Sequence, residues 1–247
     1  MPSVMDLALC ANAVYSRDVI KVGPWRRIGE PYGDNSFGFY ASAYLHENGR
    51  ELVVAFRGTD DLADAIADVT IFLGKYPNQA IHAERALKDI LSKHRNIKSV
   101  HLTGHSLGGG LASLMANAHD LPAVTFNAPG MSRSSIPDWV PFGIKDVVAW
   151  GKSVFDSEND ILHIRASYDV VSAGTGPRMG IVHNILATCN VSSEGINGIT
   201  VALPIYGAVK LLVSAGKFIL CQHEMLSIIN GLKGNKLYLD PINFSKF

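Results

Sequence analysis

The sequence is short of cysteine, of net charge and of long uninterrupted apolar runs, and each shortage excludes something. Its three cysteines, Cys10, Cys189 and Cys221, lie far apart without CxxC spacing, so neither a zinc site nor a disulfide framework is expected. At most one bridge can form, and the odd count fits a reduced compartment. Lys plus Arg and Asp plus Glu number 22 each, so no long-range field gathers nucleic acid or steers an ionic substrate. Arg26-Arg27 is the only adjacent basic pair, and nucleic acid is not an expected partner.

Residues 1–15 are apolar, but no Lys or Arg precedes the apolar run and Asp6 lies within it. They therefore do not read as a Sec signal. Leu7, Cys10, Ala11 and Val14 share one helical face behind Ser3 as N-cap, which predicts a core helix. The expected location is cytoplasmic, or outside the cell by a route that leaves no N-terminal mark. Residues 199–221 are apolar enough to raise a membrane span, yet Pro204, Gly207, Lys210, Gly216 and Lys217 interrupt them. Lys210, Ser214, Lys217 and Cys221 share a stripe, so a surface or lid-like amphipathic helix is the better expectation.

What is present is an alternation of strands and helices within 247 residues, a length that suits one large α/β domain. A Gly- and Pro-rich stretch over 23–35 leads into two β-like runs, 37–45 and 51–56, joined at Asn48-Gly49 as a hairpin. A helix carrying Ile81, Ala86, Leu87, Ile90 and Leu91 ends near Asn96; strands follow over 99–103, 123–126 and 161–166, with a helix over 107–119. This order predicts an α/β fold with a mostly parallel sheet covered on both faces. Repeats and interdomain linkers are absent.

Gly104-His105-Ser106-Leu107-Gly108 satisfies G-x-S-x-G between an apolar strand and a helix, the setting the motif requires. The glycines are needed because a Cβ on either flank of the strained turn would collide with the neighbouring strand or helix. Ser106 is the candidate nucleophile, at a helix N-terminus that favours developing negative charge. One oxyanion donor is the N–H of Leu107. The second should come from an earlier strand-to-loop junction, for which Phe56-Arg57-Gly58-Thr59 qualifies. Thr59 there either offers its N–H and hydroxyl to the oxyanion or caps the Asp-rich segment that follows.

The pairing of FRGTD with GHSLGGGLASLMA, followed by VTFNAPG, resembles the class 3 (fungal-type) lipases and their bacterial relatives. The resemblance runs from the first helix to the last histidine, with its sharpest motifs between Phe56 and Gly130. It implies an α/β-hydrolase fold with helical lid or cap segments, an oxyanion hole at Thr59 and Leu107, and no cofactor. Residues 60–77 are similar to the family's lid followed by a strand.

In this fold the triad runs Ser, then Asp or Glu, then His. Asp169 follows the strand ILHIRAS within Tyr168-Asp169-Val170-Val171, similar to the family's Asp-x-Val motif, and is the expected acid; Asp160, before that strand, is the competitor. Two histidines follow, and the residues alone leave both open as base. His183 sits in a β-like run, and His223 begins QHEML at the entry to a last helix. The family's base stands near the C-terminus at such a helix, which favours His223. His101 and His105 are four apart, but on a strand and turn, and no metal site is expected.

Three apolar segments can cover such a site: 61–72, 136–155 with Trp139, Phe142, Trp150 and Phe155, and 199–221. Each buried methylene contributes about 0.8 kcal/mol, so this surface suits acyl chains. The expected protein is a lipase or phospholipase A-type carboxylester hydrolase that works through an acyl-enzyme and touches a lipid or phospholipid surface transiently. The alternatives are a secreted antibacterial phospholipase effector and a catalytically silent lipid-binding homologue. Nothing in the sequence identifies an inhibitor or immunity protein.

Overall fold

The computed structural model describes residues 1–34, 38–58, 69–130, 160–169, 172, 180–187, 221 and 223–247, with backbone alone at 34 and over 69–78. Helix α1, Val4–Ala13, begins at Ser3 with a reciprocal cap: Asp6 N–H donates to Ser3 Oγ at 3.0 Å, and Ser3 N–H to Asp6 Oδ2 at 2.9 Å. Leu7, Cys10, Ala11 and Val14 are all buried, so the predicted face is the one that meets the core.

The sheet has eight strands hydrogen-bonded in chain order: β1 Lys21–Val22, β2 Trp25–Asp34, β3 Phe39–His46, β4 Glu51–Phe56, β5 Ser99–His105, β6 Ala123–Phe126, β7 Ile161–Ala166 and β8 Ile181–Ile185. Strands β1 to β4 pair antiparallel and β4 to β8 parallel. The β3–β4 turn falls at the expected Asn48-Gly49, where Gly49 takes φ +68° at no steric penalty. Strand β2 is a finding the sequence hid. Its register shifts between Ile28 and Tyr32, and that irregularity holds Gly29 at φ +64° and Pro31. A bulge is where a residue without N–H can sit in a strand without breaking the ladder.

Successive strand residues face opposite layers. From β4, Val53 and Ala55 join α1 and the C-terminal helix in one core, together with Val124, Phe126, Leu162 and Ile164. Leu52, Val54 and Phe56 join helices α2 and α3 in the other. Both faces of β4 are therefore buried, which is why it reads as an unbroken apolar run. Helix α2, Val69–Lys93, and helix α3, Leu107–His119, are the crossovers on either side of β5. Helix α4, Met225–Leu232, and helix α5, Lys236–Leu239, end the chain.

Helix α2 corrects one expectation. The strand expected at the end of 60–77 is helix from Val69 onward: the segment belongs to the crossover that a parallel β4–β5 pair requires. Residues 60–68, and with them most of the proposed lid 61–72, lie outside the described residues, as do 136–155 and 199–220. No helix among the described residues is long and apolar enough to cross a membrane. Cys10 is a buried free thiol and Cys221 is disulfide-bonded, so the odd cysteine count alone does not speak for a reducing compartment.

Glu84 ties α2 to α3. Its carboxylate takes hydrogen bonds from His119 Nε2 at 2.7 Å and Lys88 Nζ at 2.8 Å. The His119 hydrogen bond, assisted by Lys88 and opposed by burial, holds the carboxyl down at about 2. The stabilisation is therefore complete above the ordinary value of 4.5 and is lost as the pH falls from there toward 2. Glu84→Gln should cost about 1 kcal/mol at pH 7, with the deficit shrinking at pH 3.5. Denaturant unfolding at the two pH values measures this, and an equal deficit at both would mean that charge contributes nothing.

Candidate active site

The β5–α3 junction carries Ser106 at φ 54°, ψ −129°, outside the ordinary regions for a non-glycine residue. Its N–H donates to Phe126 O at 2.9 Å, and its carbonyl accepts from Gly110 N at 3.1 Å. Crowding explains the glycines. A Cβ on Gly104 would stand 2.3 Å from Gly108 O, and one on Gly108 would stand 2.1 Å from Phe56 O. Ser106 is 1% exposed, and its Oγ has no hydrogen-bond partner among the described residues. Leu107 begins α3, where first-turn N–H groups lack intrahelical acceptors.

The loop leaving β4 passes close to Ser106, because a Cβ on Gly58 would stand 3.3 Å from Ser106 Cβ. Thr59, the next residue, lies outside the described residues.

Asp169 and His223 meet across 54 residues of chain: Asp169 Oδ1 stands 2.7 Å from His223 Nδ1, and both side chains are fully buried. Asp169 Oδ2 also accepts from Ser172 N at 2.9 Å. Burial pushes the Asp169 carboxyl up, but the hydrogen bonds from His223 and Ser172 outweigh it and hold it below the ordinary value. A carboxylate at Nδ1 makes that nitrogen the protonated one and turns the lone pair of Nε2 outward. His223 Nε2 is buried and, like Ser106 Oγ, has no hydrogen-bond partner among the described residues.

The other candidates are elsewhere. His183, on β8, has Nε2 at 2.9 Å from Tyr238 OH and packs edge-on against Phe247, under the C-terminal helices. Asp160 is exposed ahead of β7, at the opposite end of that strand. His101 is buried on β5, where desolvation lowers it to about 4. No cluster of three or more His, Cys, Asp or Glu able to hold a metal occurs among the described residues.

Three residues to which the sequence assigned no site role turn out to hold His223. His105 is buried, and desolvation, with the nearby His223, lowers it to about 3, so it is neutral. Its Nε2 stands 2.5 Å from the His223 carbonyl and its Nδ1 3.1 Å from Tyr15 OH. A carbonyl only accepts, so Nε2 carries the proton and Nδ1 accepts from the tyrosine. Tyr15 OH in turn accepts from Gly58 N at 3.1 Å. One relay thus links the loop after β4 to the main chain of His223. Asn127, at φ 45°, adds a second hold: Nδ2 donates to the same carbonyl at 3.2 Å and Oδ1 accepts from Ala166 N at 2.8 Å. The sequence signal for it was the Asn of FNAPG at a strand end, where its side chain can stabilise a left-handed backbone.

His105→Ala should therefore lower kcat on a soluble ester by up to about 10²-fold, as a misplaced catalytic group does, with little change in KM. His105→Gln, which keeps a donor toward the His223 carbonyl, should recover most of the loss. Rates per fluorophosphonate-titrated site check this; unchanged kcat per site would reduce His105 to a packing residue.

A family model describing a Tle-like phospholipase domain matches residues 7–189. The chain belongs to this family. The match to the Tle-like phospholipase family takes in Tyr15, Ser106, Asn127 and Asp169 and ends before His223. The chain is 35% identical over 213 residues to an extracellular phospholipase A1 of Serratia liquefaciens, an alignment covering 77% of this chain and 61% of the relative. It thus spans about three-fifths of that relative's length. Among solved structures, a triacylglycerol lipase from Penicillium expansum superposes with a TM-score of 0.53 at 14% identity, covering 75% of this chain and 79% of the lipase. The nonglycosylated LIP2 lipase of Yarrowia lipolytica gives 0.52 at 16%, covering 75% and 78%. The fold of this family member is that of the α/β-hydrolases.

Proposed function

We propose that this chain hydrolyses acyl esters of phospholipids, with Ser106 as nucleophile, His223 as general base and acid, and Asp169 as the carboxylate that orients the imidazole. The observation that carries the reading is the fully buried Asp169–His223 pair at 2.7 Å, together with His223 Nε2 and Ser106 Oγ, both buried and without a hydrogen-bond partner among the described residues. A buried hydroxyl and a buried ring nitrogen left unpaired cost stability. A site that attacks an ester is where such a cost is retained.

In the reaction, His223 Nε2 takes the Ser106 hydroxyl proton as Oγ attacks the ester carbonyl. The Leu107 N–H and Thr59 stabilise the oxyanion. The tetrahedral intermediate collapses, His223 gives the proton to the leaving alcohol, and an acyl-Ser106 remains. Water activated by the same histidine then releases the fatty acid. The phospholipid class is supported by the family's description and by the phospholipase A1 name of the Serratia relative. A silent lipid-binding homologue would have no use for the unpaired Ser106 Oγ.

Fatty-acid release from phospholipid vesicles and from a triacylglycerol emulsion, followed side by side, tests the reading. Faster release from phospholipid, with lysophospholipid as coproduct, is expected. Release from triacylglycerol alone would make the protein a neutral-lipid lipase, and release from neither would end the proposal.

A further inference from the structure

On the flank of the site, toward β2 and β3, lies a pocket of about 300 Å³ lined by Arg17, Arg27, Glu30, Pro31, Gly33 and Tyr40. Its place in the sheet is set by two hydrogen bonds. Tyr40 O accepts from Arg57 N at 2.9 Å, which puts Tyr40 at the carboxyl end of β4, the edge where α/β sheets hold their ligands. Arg57 is followed by Gly58, which adjoins Ser106, and Gly58 N–H donates to Tyr15, two residues before Arg17. The pocket and the nucleophile thus share one stretch of loop.

The lining has the chemistry of an anion site. The guanidinium carbons of Arg57 and Arg17 stand 4.8 and 5.5 Å from the centroid of the Tyr40 ring. The N–H edge of Arg17, whose guanidinium lies over the Tyr40 ring, is the kind of group that recognises phosphate in a fork. Arg27 Nη1 donates to Arg17 O at 2.8 Å, which fixes the two arginines together. Neither Arg17 nor Arg27 is in an ion pair among the described residues. Glu30 is the one carboxylate among the described lining residues, against Arg17 and Arg27, so the described lining is net positive in a protein of zero net charge. Tyr40 is 3% exposed, yet its hydroxyl has no hydrogen-bond partner among the described residues. A buried hydroxyl of this kind calls for a polar ligand.

We infer that this pocket, formed around Arg17, Arg27 and Tyr40, takes the phosphate of the lipid headgroup while the acyl ester lies at Ser106. The inference rests on the phospholipase reading and deepens it, since a diacylglycerol offers the same esters without the phosphate. It makes the pocket the determinant that separates phospholipid from neutral lipid.

The test compares wild type with an Arg17→Gln/Arg27→Gln variant on phosphatidylcholine and on diacylglycerol with the same acyl chains, each in neutral-detergent micelles. Arg26→Gln, at an exposed neighbouring arginine outside the pocket, controls for loss of charge. The double variant should lose at least about tenfold more kcat/KM on phosphatidylcholine than on diacylglycerol, the scale of lost charge-assisted hydrogen bonds, and Arg26→Gln should not. Equal losses on both lipids, or no loss on either, would overturn the inference while leaving a wild type that cleaves phospholipid. A wild type that does not cleave phosphatidylcholine would overturn the function reading and this inference with it. Inorganic phosphate, titrated against butyrate-ester hydrolysis, separates the remaining source. If it alters the wild-type rate but not that of the double variant, and the lipid ratio stays unchanged, the pocket is a free-anion site and the headgroup assignment falls.

Discussion

Ser106→Ala should abolish covalent labelling by a fluorophosphonate and lower turnover by about 10⁴-fold or more, leaving only what binding and the oxyanion hole supply. The protein should remain folded. Ser106 Oγ makes no hydrogen bond among the described residues, so its removal forfeits none of theirs. The left-handed backbone at φ 54° is imposed by the surrounding turn and is shared by the alanine variant. Thermal unfolding should accordingly be little changed while activity disappears. Activity retained in the folded variant would end the assignment of Ser106, whatever the substrate.

His223→Ala should match that loss, and the Ser106→Ala/His223→Ala double variant should be no worse than either single one, because proton acceptor and nucleophile act as a unit. Asp169→Asn should approach the same loss, near 10⁴-fold, since an amide at Nδ1 permits the wrong tautomer. His183→Ala separates the two histidines. Its Nε2 faces Tyr238, so it should retain most of its turnover and lose only packing against the C-terminal helices. Single-turnover rates on a soluble butyrate ester measure all four variants without interference from lipid binding. Loss of activity in His183→Ala together with full activity in His223→Ala would reverse the roles.

The His105 relay bears on how these losses are distributed. His223 stands just ahead of a short helix, and its carbonyl is held from two sides, by His105 from the nucleophile turn and by Asn127 from the end of β6. The rotation of the imidazole is thus coupled to the same turn that presents Ser106. A change at Tyr15, whose hydroxyl bonds both, should be felt at Gly58 and at His105 together.

The sequence by itself determined the features that depend on neighbours in the chain. The Ser3 cap, the hairpin at Asn48-Gly49, the alternation of strands and helices and the glycine-lined turn at Ser106 are each specified within a few residues, by backbone conformation and apolar period. The α/β class follows from these, and so does the choice of Ser106 as candidate nucleophile. Only the tertiary structure decided what depends on distant groups. It placed Asp169 against His223 rather than His183, across 54 residues, and tied His105 to Tyr15 and to His223 across 90 and 118. Histidines look alike in a sequence, since whether one is a base, a strut or a packing residue depends on which acceptor its other nitrogen meets. Strand β2 and the full length of α2 were hidden for a related reason. Gly29 and Pro31 argue locally against a strand, and residues 69–77 carry no distinct helical signal, until the pairing with β3 and the β4–β5 crossover supply the partners that outweigh local preference.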